Sequence, residues 1–220
     1  MDPDTERREP LFNAPWPSLV VIASILGAYA WQATLGGGEA VVPVLGFAPA
    51  DLDRGRWLGV VTVMFVHGGW PHALMNALGA LAFGPPVARA AGPGLKGAVL
   101  FFGFYLLCGV LSTLGYTALH LHDPTPVVGA SGAISGLMGA AARLMAPPDR
   151  HPLPILSRPV ISLGGSWVLV NVLMAVFGAA PFMAGARIAW EAHIAGFVAG
   201  VLLLGPMMRL AWGSPRADVT

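Results

Sequence analysis

The sequence predicts an all-α membrane protein with six transmembrane helices and a structured outer loop between the first two. Of its 220 residues, 55% are hydrophobic and only 10% are charged, whereas a soluble domain typically carries about 25% charged residues. Six stretches approach the roughly 20 apolar residues that a helix needs to cross a bilayer. Their predicted bounds are 18–35, 70–91, 95–119, 131–146, 160–181 and 188–210.

The two ends of the chain are more polar than these spans. Residues 1–17 mix acidic and basic side chains and lack a clear small-residue cleavage site, which argues against a signal peptide. We interpret residues 1–17 and 211–220 as short cytoplasmic tails. The sequence therefore predicts a single membrane domain over residues 18–210.

The segment between spans one and two is long for a membrane loop. Residues 40–69 contain Trp57 and Phe65 beside Arg54 and Arg56. Such a mixture of aromatic and basic side chains is typical of a segment at the membrane–water interface. We therefore predict a structured outer loop here, not a seventh span.

The basic residues indicate how the spans are oriented. With six spans both termini lie on one side, and that side receives nine of the 12 Lys and Arg residues. Because basic loops are retained in the cytoplasm, we expect cytoplasmic termini in a multi-pass protein of the bacterial inner membrane. The nine are Arg7, Arg8, Arg89, Lys96, Arg143, Arg150, Arg158, Arg209 and Arg216, and the other three are Arg54, Arg56 and Arg187.

Several function classes are excluded by what the sequence lacks. A net charge of +1 does not indicate nucleic acid binding, and the single Cys108 excludes an internal disulfide or a four-cysteine metal site. The acids fall in loops or, for Glu191, at the outer start of span six, so an aspartyl intramembrane protease with two buried carboxylates is excluded. No His-Glu-x-x-His motif is present, and we predict neither a metal nor another cofactor.

Span four begins with a serine between glycines, Gly129-Ala130-Ser131-Gly132, after a loop that contains two prolines. The missing side chains let a peptide backbone approach the hydroxyl. The start of the helix also offers N–H groups that can stabilise an oxyanion. Gly132 and Gly136 equally form a small-residue helix-packing motif, and the two interpretations are compatible.

A serine nucleophile needs a base, and His193 is the best-placed of the six histidines. It lies inside span six, roughly 9 Å along the helix from Arg187 at 1.5 Å per residue, at a depth comparable to that of Ser131. Gly196 and Gly200 follow on about the same face and would allow close packing against span four. The alternative is a histidine bonded only to a backbone carbonyl.

Span two carries a second polar pair. His72 and Asn76 are four residues apart and project from one helical face in a segment otherwise rich in Ala, Leu, Gly and Phe. Such a pair near the outer end of a span can donate hydrogen bonds into a polar cavity, for example an oxyanion hole. Hydrogen bonding between helices is the alternative role.

Together these spans resemble the rhomboid family of intramembrane serine proteases, over roughly residues 18–210. Any one motif is weak, but their order on spans two, four and six is specific. The motifs are His72-x-x-x-Asn76, Gly129-Ala130-Ser131-Gly132 and Ala192-His193-x-x-Gly196, with Phe65-Val66-His67-Gly68-Gly69-Trp70 leading into span two.

The resemblance implies a six-span rhomboid-like bundle with a Ser131–His193 dyad and no acidic third member. Ser131 would attack the scissile carbonyl, and His193 would accept its proton and pass it to the leaving amine. The Ser131 N–H, His72 and Asn76 would hold the oxyanion. Substrates would be transmembrane proteins in the lipid bilayer, cut in or near a membrane helix. Substrate approach and helix packing would involve Gly129, Gly132, Gly136, Gly196 and Gly200.

The chain departs from the family pattern at several positions, two of which concern the outer loop and the catalytic histidine. The outer loop lacks the Trp-Arg pair of many rhomboids, so Arg54 or Arg56 is expected to anchor it instead. Ser135 stands four residues after Ser131, where many members carry an aromatic residue that stacks on the catalytic histidine. We therefore predict that His193 is held differently, by a hydrogen bond from Ser135.

Two other functions stay open. A catalytically silent rhomboid-like protein would bind or escort membrane clients, although such proteins usually lack the serine or the histidine. A small transporter or metal-handling protein would use His67, His72, His120 and His122 on the outer side. That function leaves the glycine-flanked serine without a role.

Overall fold

The computed structural model describes residues 14–147, 152–177 and 189–213. Within these ranges the regular structure is helical, apart from an isolated antiparallel bridge between Phe47 and Val127. The helices are α1 Trp16–Thr34, α2 Gly38–Leu45, α3 Gly59–Thr62, α4 Trp70–Ala90, α5 Gly94–Leu119, α6 Ser131–Arg143, α7 Arg158–Phe177 and α8 Trp190–Trp212, with 3-10 turns at Pro49–Asp51 and Val63–Phe65.

The six long helices, α1 and α4 to α8, overlap the six predicted spans. Four of the described helices, α1, α5, α7 and α8, are long and apolar enough to cross a membrane. Helix α4 is less apolar because it carries polar residues and two internal prolines, and α6 has only 13 residues, about 20 Å of helix. Outside the described residues lie most of both predicted tails, the end of predicted span five, and Arg7, Arg8, Arg150, Arg187 and Arg216.

Helix α6 lies at the centre of the bundle, where α4, α5 and α8 pack around it. Its residues from Gly132 to Arg143 are all buried. A Cβ on Gly196 would overlap the carbonyl of Gly132, and one on Gly200 would overlap the carbonyl of Gly136. The backbones of α6 and α8 therefore pack directly against each other, and α6 can be short and rich in Gly and Ala because it faces protein and not lipid.

Arg56, and not Arg54, anchors the outer loop. Its Nη1 donates to Asp51 Oδ1 at 3.0 Å, and its Nη2 donates to the carbonyls of Pro43 and Val44 at 3.0 and 3.2 Å. Arg54 reaches Asp51 only at 3.8 Å, and its side chain is largely exposed. The end of α2 is thereby held against the 3-10 turn that follows it.

The outer loop also supports the backbone that enters α6. Phe47, which is fully buried, exchanges two hydrogen bonds with Val127, at 3.3 and 2.7 Å. Two residues later, the Gly129 N–H donates to the carbonyl of Val63 at 3.0 Å. These bonds fix the path of the chain immediately before Ser131.

Candidate active site

The structure brings Ser131 and His193 into direct contact. Ser131 is the first residue of α6 and His193 lies in the first turn of α8, and His193 Nε2 is 2.8 Å from Ser131 Oγ. Both residues are only half-buried, so the pair is accessible. A nucleophilic hydroxyl within hydrogen-bond distance of an imidazole is the arrangement that serine acyl transfer requires.

The other ring nitrogen of His193 contacts Asn171, which was not among the residues predicted from the sequence. His193 Nδ1 lies 2.6 Å from Asn171 Oδ1, on α7. Asn171 is 1% exposed, and its Nδ2 donates to the carbonyl of Trp167 at 2.8 Å. The available signal was an amide within an apolar span, because polar side chains in such positions are candidates for function.

The prediction that Ser135 orients His193 is wrong. Ser135 Oγ donates to the carbonyl of Ser131 at 2.8 Å, the usual bond of a helical serine to the preceding turn. Both nitrogens of His193 have other partners. The aromatic neighbour of His193 comes from α7, where the Trp167 ring lies 5.7 Å away at a 34° tilt.

The His72 side chain, on α4, lies beside Gly129 and close to Ser131. The Gly68 N–H donates to His72 Nδ1 at 3.2 Å, so in the neutral ring the proton is on Nε2. Gly129 has a φ of +121°, and a Cβ there would lie 2.8 Å from both Nε2 and Cε1 of His72 and 3.6 Å from Ser131 Oγ. The donor nitrogen of His72 is therefore packed beside Gly129, two residues before Ser131.

Asn76 lies one turn further along α4 and is buried, with 5% of its surface exposed. Its Nδ2 donates to the carbonyl of His72 at 2.8 Å, which uses one of its two N–H groups. Among the described residues, its Oδ1 has no hydrogen-bond partner. The amide therefore keeps one N–H that can serve a bound group.

Comparison with known proteins assigns this arrangement to one family. The family model described as the Rhomboid domain matches residues 54–210, which include Ser131, Asn171 and His193. The chain belongs to the rhomboid family. With its apolar helices, it is an integral membrane protein with a helical bundle, and the resemblance inferred from the sequence is confirmed.

Two curated relatives show how far the likeness extends. RHOMBOID-like protein 9, chloroplastic, of Arabidopsis thaliana is 38% identical over 86 residues, which cover 39% of this chain and 18% of that protein. Rhomboid protease GluP of Bacillus subtilis (strain 168) is 33% identical over 89 residues, which cover 40% of this chain and 16% of that protein. The matched segments span less than a fifth of either relative, and at the level of the family they support an intramembrane protease.

In this rhomboid, His67 lies in the loop just before α4, directly behind His72. The two rings are 5.2 Å apart edge-to-face, and Tyr29 contacts the other side of His67. Gln32 on α1 holds the backbone of His67 by two hydrogen bonds, at 2.7 and 3.1 Å. Burial, and to a lesser extent the nearby His72, lowers the pKa of His67 from 6.5 to about 3. His67 is thus a neutral aromatic support for His72 at physiological pH.

This shift predicts a loss of stability in acid. Because the folded-state pKa of His67 is lowered, the unfolded chain takes up its proton first, and stability falls as the pH drops from 6.5 toward 3. Between pH 7 and pH 5 the contribution is about 2 kcal/mol. We expect His67→Phe, which keeps an aromatic ring, to reduce the pH dependence of the unfolding free energy in detergent by that amount.

The matched control is His122→Phe. The His122 side chain is 73% exposed and its partner Asp53 is 55% exposed, so water screens this pair and its replacement should have little effect on stability at either pH. If His67→Phe and wild type lost equal stability between pH 7 and pH 5, His67 would not be the buried neutral group described here.

The four outer histidines do not converge on a common site. His120 stacks on Tyr116 and pairs with Glu191 at 3.0 Å, while His122 pairs with Asp53. Within the described residues, no group of three or more His, Cys, Asp or Glu side chains is close enough to hold a metal ion. The transporter or metal-handling hypothesis therefore gains no support from the geometry.

Proposed function

We propose that this rhomboid is an intramembrane serine endopeptidase that hydrolyses peptide bonds in or near the transmembrane segments of other membrane proteins. Ser131 is the nucleophile and His193 the general base. The observation that carries the proposal is the 2.8 Å contact between Ser131 Oγ and His193 Nε2 in a half-buried position. A silent client-binding relative would require no such pair.

The proposed reaction follows ordinary serine acyl transfer. His193 Nε2 takes the proton from Ser131 Oγ as the oxygen attacks the scissile carbonyl, and it then delivers that proton to the leaving amine. The negative oxygen of the tetrahedral intermediate accepts hydrogen bonds from the Ser131 N–H, His72 Nε2–H and the remaining Asn76 N–H. In the second half of the reaction, His193 Nε2 takes a proton from water as the water attacks the acyl-enzyme carbonyl. It then delivers that proton to Ser131 Oγ as the ester bond breaks.

The N–H of Ser131 suits its part because the first N–H groups of a helix have no intrahelical acceptor. The N-terminal end of the α6 helix dipole is also positive, which favours an oxyanion there. The glycines have separate roles in this proposal. Gly129 gives the substrate backbone room beside the nucleophile, while Gly132, Gly136, Gly196 and Gly200 hold α6 against α8.

The proposed topology has six spans, with α6 crossing the membrane at the centre of the bundle and α4 among the helices that pack around it. The protease domain is 18–210, and the tails 1–17 and 211–220 are cytoplasmic. The excess of basic residues on that side supports this orientation in a bacterial inner membrane. The hydrolytic site then opens toward the outer side.

A fluorophosphonate probe, which reacts with activated serines, tests the proposed nucleophile. The full chain purified in detergent should be labelled, and Ser131→Ala should abolish labelling because the attacking oxygen is gone. Cleavage of a test substrate with one transmembrane helix should disappear in parallel. The readouts are gel fluorescence and the amount of cleaved product.

Ser135→Ala is the matched control for Ser131→Ala. It removes a hydroxyl one turn away in the same helix, whose bond is to the Ser131 carbonyl and not to His193. It should keep both labelling and cleavage. Labelling that persists in Ser131→Ala, or a wild-type protein that is neither labelled nor active, would refute the proposed function.

A further inference from the structure

Asn171 is a buried amide on a helix that is otherwise largely exposed. Only 11% of the residues in the apolar stretch of α7 are buried, yet Asn171 has just 1% of its surface accessible. Its amide oxygen lies 2.6 Å from His193 Nδ1, a short distance for such a bond. This contact joins α7 to the histidine of α8.

The orientation of the Asn171 amide is set by its own helix. Its Nδ2 donates to the carbonyl of Trp167 at 2.8 Å, one turn earlier in α7, so Oδ1 points toward the imidazole. An amide oxygen can only accept a hydrogen bond. His193 Nδ1 must therefore carry the proton, which leaves the lone pair of Nε2 facing Ser131 Oγ.

We propose that Asn171 is the positioning residue that holds His193 in the tautomer and ring orientation needed for a base. This inference rests on the proposed function and adds Asn171 to the Ser131–His193 pair as a third, hydrogen-bonded residue that itself takes up no proton. When His193 takes the serine proton, the Nδ1–H bond to Asn171 becomes charge-assisted and stronger. Asn171 does not touch the reacting atoms.

An amide suits this position better than a carboxylate. A buried carboxylate must lose its hydration, which is unfavourable in an apolar helix unless it is paired. Asparagine accepts the same bond from Nδ1–H without introducing a charge. Glu191 is the acid closest to His193 along the chain, and it bonds to His120 at 3.0 Å instead.

Two substitutions and one control separate a positioning role from a merely structural one. Asn171→Leu keeps a side chain of similar size but removes the acceptor, and Asn171→Asp restores it. Leu169→Ala, on the same helix at a residue that is 58% exposed, tests whether any change in α7 has an effect. Each full-length protein is assayed for kcat and KM on a transmembrane test substrate and for thermal unfolding.

We expect Asn171→Leu to lower kcat by about 10- to 100-fold, the effect of losing one buried hydrogen-bond partner. KM should stay within about twofold, because the bond orients the base and does not bind substrate. Asn171→Asp should recover most of kcat, and Leu169→Ala should behave as the wild type. A wild-type kcat in Asn171→Leu, or an equal loss of kcat in Leu169→Ala, would overturn the proposal.

A spectroscopic readout is independent of activity. In protein labelled with 15N-histidine, the signals of His193 are identified by their loss in His193→Ala. They should report a proton on Nδ1 in the wild type and a mixture of tautomers in Asn171→Leu. An unchanged tautomer would refute the role of Asn171 even if Ser131 is the nucleophile. Failure of the wild type to cleave or label would refute the proposed function while the tautomer shift could still be observed.

Discussion

Replacing His193 by alanine is expected to lower kcat for a transmembrane substrate by about 10⁴-fold, the upper end of what general-base catalysis contributes. A serine hydroxyl is a weak nucleophile until a neighbouring base accepts its proton. In the proposed mechanism that base is His193 Nε2, which lies 2.8 Å from Ser131 Oγ. The measurement is the initial rate of product formation at saturating substrate.

His122→Ala is the control for this loss. The His122 side chain is 73% exposed and bonds to Asp53, not to Ser131 or His193, so its removal should leave kcat near the wild-type value. If His193→Ala retained a rate within about tenfold of the wild type, His193 would not be the general base, because base catalysis contributes typically 10²–10⁴-fold.

Gly129→Ala is expected to reduce kcat by about 10²–10³-fold, the loss typical of removing one oxyanion donor. A Cβ at this position would lie 2.8 Å from two atoms of the His72 ring, so the ring would have to move away from the nucleophile. KM should change less than kcat, because the displaced donor acts on the transition state. Steady-state kinetics on the same substrate measure both constants.

Gly55→Ala separates this steric effect from backbone strain. Gly55 also has a positive φ, +73°, but nothing lies within 4 Å of a Cβ built there. Its substitution should cost about 1–2 kcal/mol of stability without a large change in kcat. Equal loss of activity in the two variants would show that strain, and not the contact with His72, explains the effect of Gly129→Ala.

The membrane helices could be predicted because length and apolar composition are properties of each segment alone. The helices that overlap the spans begin and end within a few residues of the predicted bounds wherever they are described. The sequence did not reveal that α6 is enclosed by protein on all sides. That position explains how a helix of only 13 residues, rich in Gly and Ala, can be one of the six spans.

The candidate site was partly predictable for a similar reason. Ser131, His72 and His193 are polar residues in apolar segments, and each lies near the outer end of its predicted span. Depth and chemistry together were enough to associate them. The partner of His193 was not predictable, since Ser135 and Asn171 are both polar residues within reach in principle.

The sequence by itself determined the family of the protein and its approximate helical spans, and it selected the candidate reactive side chains. The tertiary structure decided which of these side chains meet and in what orientation. Ser135 bonds to a carbonyl of its own helix, and Asn171 is the residue that bonds to His193. In the outer loop, Arg56 and not Arg54 bonds closely to Asp51. The reason is physical: composition is local along the chain, whereas a hydrogen bond between helices depends on the rotation and close approach of both backbones.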